Sequence, residues 1–193
     1  MYRAIGLCAL ESGVDPADEQ AVVALVRGGG CRVNVRIAQG KQETLLNDRN
    51  VSPRLHEEAV GFAASTVSRY RDVRRHLVRA QQAIANAQPV GMDGRDIGTV
   101  VLPDAKLKIF LTADAAVRAR RRCLQLGIAA DSPQGKEIFH KLVERDKQDS
   151  ERAVDPLRPA EDAVLVDTGN ITFEEALNRL LALVEERYGI KNA

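Results

Sequence analysis

Two groups of arginines lie at helical spacing, and they are the side chains best suited to bind an anion. The first group shares one helix face and comprises Arg71, Arg74, Arg75 and Arg79. In the second group Arg118 is paired in the same way with Arg121 and Arg122. Like charges this close repel unless an anion or an acidic partner lies between them. A solvated face is the simpler interpretation for any single arginine, but the clusters together favour phosphate, which a guanidinium group binds through two parallel hydrogen bonds.

A second chemically suggestive segment, residues 92–99, reads M-D-G-R-D-I-G-T. Its glycines allow a ligand to approach the backbone closely. Asp93, Arg95 and Asp96 are suited to a metal ion, a phosphate and a sugar hydroxyl. A polar turn with an internal Arg–Asp pair explains the same residue types equally well.

The third segment, residues 144–152, reads E-R-D-K-Q-D-S-E-R. On a helix its Arg145, Asp149 and Arg152 lie along one face, at i, i+4 and i+7. They form either a surface ion-pair ladder of little energetic weight or a clamp. In a clamp Asp149 would align the two arginines and accept hydrogen bonds from a ligand. The spacing leaves both interpretations open.

The elements that must position these residues alternate between strands and helices, which indicates an α/β fold around a parallel sheet. Short apolar runs predict buried strands at 99–102, 107–113 and 163–166. Helical patterns are predicted at 1–11, 18–26, 53–87, 114–126, 134–153 and 172–188, the last beginning with a Thr172–Glu175 capping box. Val33, Val35 and Ile37 alternate with polar residues and predict a strand, Gln39-Gly40 predict a turn, and 43–46 is a candidate for the returning strand, so that a hairpin-plus-helix insert occupies about 30–87.

Composition and charge exclude several classes of protein. The 193 residues predict one domain. A net charge of +1, from 28 basic and 27 acidic residues, excludes a generally basic, nucleic-acid-coating protein. RNA binding through the arginine clusters is disfavoured because, Tyr70 excepted, aromatic residues for base stacking are missing among them. No apolar run approaches the roughly 18 residues of a membrane span, so we expect neither nucleic acid nor membrane as a partner.

The cysteines and histidines add no recognisable site. Cys8, Cys31 and Cys123 lack metal-ligand spacing, and we expect reduced, partly buried thiols in a cytoplasmic protein. The three histidines lie in different segments and form no triad; they are His56, His76 and His140.

Several motifs together closely resemble one family, the bacterial cytidylate kinases, which are P-loop nucleoside monophosphate kinases. The most specific are D-G-R-D-I-G-T-V-V-L-P-D-A at 93–105 and E-R-D-K-Q-D-S-E-R at 144–152. Others are M-Y-R-A at 1–4, A-A-S-T-V-S at 63–68, D-V-R-R at 72–75, K-I-F-L-T-A at 108–113, R-R-C-L-Q-L at 121–126 and V-D-T at 166–168. The resemblance implies one domain over 1–193, with a helix-flanked parallel sheet, a monophosphate-binding insert at about 30–87 and a lid at about 127–152.

The resemblance also implies the reaction, which is transfer of the γ-phosphoryl group of ATP to CMP or dCMP with the help of Mg²⁺. It implies that Arg3 and Arg74 hold the CMP phosphate and that Ser65 reads the cytosine edge. Arg95 and Asp96 lie where the family positions the nucleoside.

The remaining roles concern the sugar, the donor nucleotide and the metal ion. By resemblance Asp149 accepts hydrogen bonds from the pentose hydroxyls, and Asp93 supports Mg²⁺ through water. The lid arginines, which bridge the donor and acceptor phosphates, are Arg145 and Arg152. The contacts to ATP are Arg118 and Arg122.

The sequence departs from the family at one important motif, the phosphate-binding loop G-x-x-x-x-G-K-[ST]. Gly40-Lys41 has Val35 where the first glycine is needed, and Gly135-Lys136 is followed by Glu137. We therefore expect either a start assigned to an internal Met or a truncated gene. We expect weak ATP binding, little turnover and an incompletely covered sheet. The alternative is a non-catalytic remnant that keeps a nucleotide-binding half-site.

Overall fold

The computed structural model describes residues 1–189, which form two compact units that divide after Gly91. The helices of the first unit are α1 (Tyr2–Glu11), α2 (Glu19–Arg27), a short 3₁₀ helix (Ser52–His56), α3 (Glu58–Val67) and α4 (Arg71–Ala87). Its strands are β1 (Val33–Ala38), β2 (Lys41–Leu46) and β3 (Arg49–Asn50). The long helical pattern predicted at 53–87 is therefore interrupted twice.

The second unit contains strands β4 (Ile109–Thr112) and β5 (Val164–Asp167), which pair in parallel with Ile109 opposite Val164. Its α-helices are α5 (Ala115–Leu126), α6 (Pro133–Glu151) and α7 (Phe173–Tyr188). The prediction of an α/β fold with a parallel sheet is confirmed. No helix within residues 1–189 is both long and apolar enough to cross a membrane.

The core of the first unit is built on α1, whose apolar residues are almost fully buried. Ile5 and Leu7 are completely inaccessible to solvent, and burying a side chain of this size contributes roughly 1.5–3 kcal/mol. The helix crosses α3 closely at Gly6, where an added Cβ would lie 2.8 Å from the backbone nitrogen of Ala64. Because Gly6 has no Cβ, the two helices can pack backbone against backbone.

A disulfide joins Cys8 of α1 to Cys31, which follows the glycine-rich end of α2. The expectation of reduced thiols is wrong for this pair, because the fold brings two cysteines 23 residues apart to a Cα–Cα distance of 6.1 Å. That distance is within the range a disulfide spans. Cys123 is free and buried, as predicted.

The predicted hairpin is confirmed in its strands and its turn. Strands β1 and β2 pair antiparallel from Val33 opposite Leu46 to Ala38 opposite Lys41. The two turn residues, Gln39 and Gly40, have φ values of 52° and 72°. Positive φ at both positions is the conformation that suits the twist of a two-residue hairpin turn.

The apolar run predicted as a strand at 99–102 instead forms a π-helical turn at Ile97–Val101. The backbone nitrogens of Val100 and Val101 donate to the Asp96 carbonyl oxygen at 2.9 and 3.3 Å. These local bonds satisfy the backbone without a neighbouring strand. The prediction was wrong because a short buried apolar run has no period that separates strand from helix.

Part of the β4–β5 sheet is uncovered. Leu111 of β4 is 54% exposed and Leu165 of β5 is 60% exposed. Phe173, at the start of α7, is also largely exposed. Strands of a parallel sheet are normally covered on both faces, so this exposure agrees with the expected incomplete covering of the sheet.

Candidate functional site

In the second unit, Asp149 of α6 lies among three arginines. Its Oδ2 atom is 3.0 Å from Nη1 of Arg95 and 3.9 Å from Nε of Arg145. Its Oδ1 atom is 3.6 Å from Nη1 of Arg152. Helical spacing places Arg145 and Asp149 on one face of α6, as the sequence predicts, whereas Arg152 follows the end of the helix with extended backbone and reaches Asp149 from there. Asp149 is 8% exposed, which favours the clamp over an exposed ladder.

Asp146, one turn earlier on α6, contacts two of the predicted arginines, and the sequence analysis missed this residue. Its Oδ2 atom accepts a hydrogen bond from Nη2 of Arg118 at 2.5 Å, and its Oδ1 atom lies 3.6 Å from Nη1 of Arg95. The available signal was the i, i+3 relation of Asp146 to Asp149, which puts both carboxylates on one side of the helix.

Together these residues form an arginine–aspartate cluster, comprising Arg95, Arg118, Arg145, Arg152, Asp146 and Asp149. Four positive charges face two negative ones, which leaves an excess of two positive charges to attract an anion. The Asp149 Oδ2 atom is buried and makes no hydrogen bond within the described residues, although it lies 3.0 Å from Nη1 of Arg95. Buried oxygens are rarely left in this state, so this atom is available to a ligand donor such as a hydroxyl group.

Backbone structure around Asp96 holds Arg95 in the cluster. Asp96 is 6% exposed, and its carbonyl oxygen accepts the bonds that close the π-helical turn. Gly94 packs against this turn, since an added Cβ would lie 2.9 Å from Cγ1 of Ile97. The predicted site residues Arg95 and Asp96 are thus fixed by the turn that replaces the predicted strand.

The arginines of α5 make contacts with different parts of the second unit. Arg118 is oriented by a bond from its Nε atom to the Ala113 carbonyl oxygen at 2.9 Å, in addition to its bond with Asp146. Arg122, its predicted companion, is exposed and contacts Gln125 of its own helix at 3.4 Å. The structure therefore does not bring Arg122 into the cluster. Arg121 instead binds the carbonyl oxygen of Thr168 after β5.

The structure offers a divalent metal ion little beyond single carboxylates. Asp93 is exposed on the surface of the second unit. Within residues 1–189 no group of three or more Asp, Glu, His or Cys side chains is arranged to hold a metal ion. A lone exposed carboxylate fits a contact to Mg²⁺ through water, whereas direct ligands would have to come from a phosphate-bearing substrate.

In the first unit, the predicted residue Arg74 contacts the C-terminal end of α3, which carries Ser65, and the start of α1, which carries Arg3. Nη1 of Arg74, which is 2% exposed, donates to the Ser68 carbonyl oxygen at 3.2 Å. Ser68 Oγ donates in turn to the Ser65 carbonyl oxygen at 2.8 Å. The guanidinium of Arg74 also lies 5.6 Å from the ring centre of Tyr2, the neighbour of Arg3 in α1, a cation–π distance.

Arg3 itself is held by α3 and the segment before it. Its Nη1 atom donates to the Leu55 carbonyl oxygen at 2.7 Å. Gly61 of α3 leaves room for the guanidinium, because an added Cβ would lie 3.2 Å from the same nitrogen. The side chain is therefore fixed before any ligand binds.

Comparison with known proteins gives one consistent result. A family model described as cytidylate kinase matches residues 1–186. Curated proteins named cytidylate kinase from Caldicellulosiruptor saccharolyticus and Geobacillus kaustophilus are 40% and 42% identical over 183 and 192 residues. These alignments cover 95% and 98% of this chain, and 80% and 84% of the respective relatives. A third protein of the same name, from a Thermotoga strain, is 39% identical over 188 residues.

Proposed function

The chain belongs to the cytidylate kinase family of phosphotransferases, and from this premise we propose that it binds CMP or dCMP and transfers the γ-phosphoryl group of ATP to it. The observation that carries the proposal is the arginine–aspartate cluster of the second unit. Phosphoryl transfer needs little covalent chemistry from the protein and depends on positioning and on neutralising the charge of crowded phosphates. Arginines held by ion pairs with Asp149 supply both.

In the second unit, the four arginines and Asp149 take the following roles in this proposal. Arg145 and Arg152 bridge the donor and acceptor phosphates, where their charge stabilises the transferring group. The Oδ2 atom of Asp149, which makes no hydrogen bond within the described residues, accepts one from a pentose hydroxyl. Arg95 and the buried Asp96 position the nucleoside, and Arg118 binds ATP.

In the first unit, Arg3 and Arg74 bind the phosphate of CMP and Ser65 reads the cytosine edge. The fixed positions of both guanidinium groups support this assignment, because side chains ordered before binding lose less entropy when the ligand arrives. Arg74 is almost fully buried, so its charge acts with little screening by solvent.

Mg²⁺ would enter with the nucleotide phosphates and reach Asp93 through water, in agreement with the lone exposed carboxylate. When bound, such an ion neutralises charge on the phosphates. The second contact to ATP that we assign, Arg122, lies outside the cluster and would have to change rotamer to join it.

The site for ATP, the phosphoryl donor, departs from the family pattern in these 193 residues, because the G-x-x-x-x-G-K-[ST] motif does not occur in them. Gly135-Lys136 is no substitute, since Gly135 packs in the first turn of α6, where a Cβ would lie 2.5 Å from the Ala129 carbonyl oxygen. The motif supplies backbone N–H groups and a lysine to the phosphates. We therefore propose that a polypeptide of these residues binds ATP weakly and turns over slowly. The second candidate function is a non-catalytic nucleotide-binding half-site.

Two measurements on the 193-residue polypeptide test the proposal. The first is calorimetric titration with CMP, with Asp149→Asn as the site variant and Asp48→Asn as the control. Asp48 carries the same charge, but its partner Arg32 is a surface residue of the first unit. The kinase proposal and the half-site alternative both predict CMP binding that Asp149→Asn weakens and Asp48→Asn leaves unchanged.

The second measurement separates the two candidates. A coupled assay follows CMP-dependent ADP release, with the Geobacillus kaustophilus relative assayed in parallel. The kinase proposal predicts slow but measurable release that requires CMP, and the half-site alternative predicts CMP binding with no release. Release as fast as that of the relative would contradict the proposed impairment. Absence of both CMP binding and ADP release would contradict both candidates.

A further inference from the structure

Asp146 is the one acidic member of the cluster to which the proposed function assigns no role. Its two carboxylate oxygens contact arginines from different parts of the second unit. Oδ2 accepts from Arg118 of α5, and Oδ1 lies 3.6 Å from Arg95, which precedes the π-helical turn. A single carboxylate thus connects an arginine assigned to ATP with one assigned to the acceptor nucleoside.

The contacts of Asp146 differ from those of an ordinary surface ion pair. Its side chain is 29% exposed, and that of Arg118 is 34% exposed. Arg118 is held at a second point, because its Nε atom donates to the Ala113 carbonyl oxygen. With both ends of the guanidinium fixed, its remaining N–H groups have a defined direction. A planar guanidinium held in this way is preorganised for a phosphate.

The same carboxylate forms part of a continuous chain of charged contacts. Arg118 contacts Asp146, Asp146 contacts Arg95, and Arg95 contacts Asp149. A shift of Asp146 would therefore disturb Arg95 as well as Arg118. Groups that share partners in this way are expected to be energetically coupled.

We propose that Asp146 is a positioning residue, which aligns Arg118 and Arg95 for the phosphate-bearing ligands of this site. The inference rests on the proposed function, and it names a residue on which that function depends. Asp146 does not contact the phosphates. It acts through the two arginines and holds them in the direction from which they bind.

Because Asp146 is negatively charged, a charge effect and a positioning effect would change the affinity for an anion in opposite directions. A carboxylate beside an anion site opposes anion binding by Coulomb repulsion. If Asp146 acted through its charge alone, Asp146→Asn would strengthen the binding of any phosphate. If it acts by positioning, the same substitution weakens binding, since the amide replaces a charged acceptor with a weaker one.

The experiment measures calorimetric affinities of the 193-residue polypeptide for inorganic tripolyphosphate and for CMP. The variants are Asp146→Asn, Asp146→Glu and Glu137→Gln. Glu137 is the matched control, because it lies on the same helix as Asp146 and forms an exposed ion pair with Lys141 one turn away. Circular dichroism and thermal melting of each variant report whether it is folded.

We expect Asp146→Asn to weaken tripolyphosphate binding about tenfold, the effect of one weakened charge-assisted hydrogen bond. Asp146→Glu should recover part of the loss, because it restores a charged acceptor. Glu137→Gln should leave the affinity within about twofold or strengthen it slightly through its charge. In an Arg118→Lys background the effect of Asp146→Asn should shrink, since the substitution acts through the guanidinium group.

Unchanged or tighter tripolyphosphate binding by a folded Asp146→Asn variant would overturn the proposal, as would the absence of tripolyphosphate binding by the unsubstituted chain. If the Asn variant fails to fold, Asp146→Glu is compared with Glu137→Gln instead. The proposal then requires that Asp146→Glu, with its longer side chain, weakens tripolyphosphate binding and that Glu137→Gln does not. Failure of the proposed function would give a different pattern of binding. The unsubstituted chain would then bind tripolyphosphate without binding CMP, and the effect of Asp146→Asn on tripolyphosphate would remain.

Discussion

Reduction of the Cys8–Cys31 disulfide should destabilise the first unit by an amount that follows from the loop it closes. The bond joins residues 23 apart, and in the chain-entropy account a loop of this length constrains the unfolded state by about 3 kcal/mol. Both cysteines belong to the buried core around α1. Because reduction leaves every side chain in place, the change in stability reports the cross-link and not a loss of packing.

The assay compares the oxidised and reduced forms of the same polypeptide. Thiol titration in denaturant should find one thiol, that of Cys123, before reduction and three after it. The midpoint of thermal unfolding should fall by about 10 °C in the reduced form. A Cys123→Ala variant is the control, since it retains the disulfide and should show the same difference between the two forms. Three titratable thiols in the untreated protein, or equal melting of the two forms, would refute this reasoning.

Three further predictions concern packing, pH and the site. Gly6→Ala should lower the free energy of unfolding by about 1–3 kcal/mol in urea titrations, because its Cβ would lie 2.8 Å from the Ala64 nitrogen; an unchanged midpoint would contradict the close helix crossing. Hydrogen bonds from the backbone and side chain of Thr172 lower the pKa of Glu175 below its ordinary 4.5. The stabilisation of the folded state by these hydrogen bonds is therefore present above the unfolded-state pKa and lost as pH falls through the folded-state pKa. Glu175→Gln should remove this part of the acid dependence of stability, measured by circular dichroism. An identical pH profile for the variant would count against this prediction. Asp149→Asn should weaken CMP binding about tenfold or more, and the assignment fails if calorimetry shows equal affinity.

Local patterns predicted much of the fold because their causes are local. The hairpin followed from alternation before Gln39-Gly40, and the turn needed no distant partner. The last helix followed from Thr172 and Glu175, whose reciprocal bonds are both present. Arg145 and Asp149 were found because helical periodicity alone places them on one face of α6, whereas Arg152 lies just beyond the end of that helix.

The parts that were missed depend on contacts between distant segments. Nothing in the spacing of Cys8 and Cys31 distinguishes a disulfide from two reduced thiols, since the pairing results from how α1 and the chain after α2 pack. The importance of Asp146 comes from α5, which brings Arg118 to it across 28 residues. Arg122 resembles Arg118 in sequence, yet its side chain donates to Gln125 of its own helix.

The most direct test of the central claim is to compare the affinities of CMP and cytidine for this chain by calorimetry. The two ligands differ only in the phosphate group, which is what the arginines are proposed to bind. The account predicts that CMP binds at least about a hundredfold more tightly than cytidine, the worth of two charge-assisted contacts, and that the advantage shrinks with added salt. Equal affinities for the two ligands, or an advantage unaffected by Arg3→Ala, would contradict it.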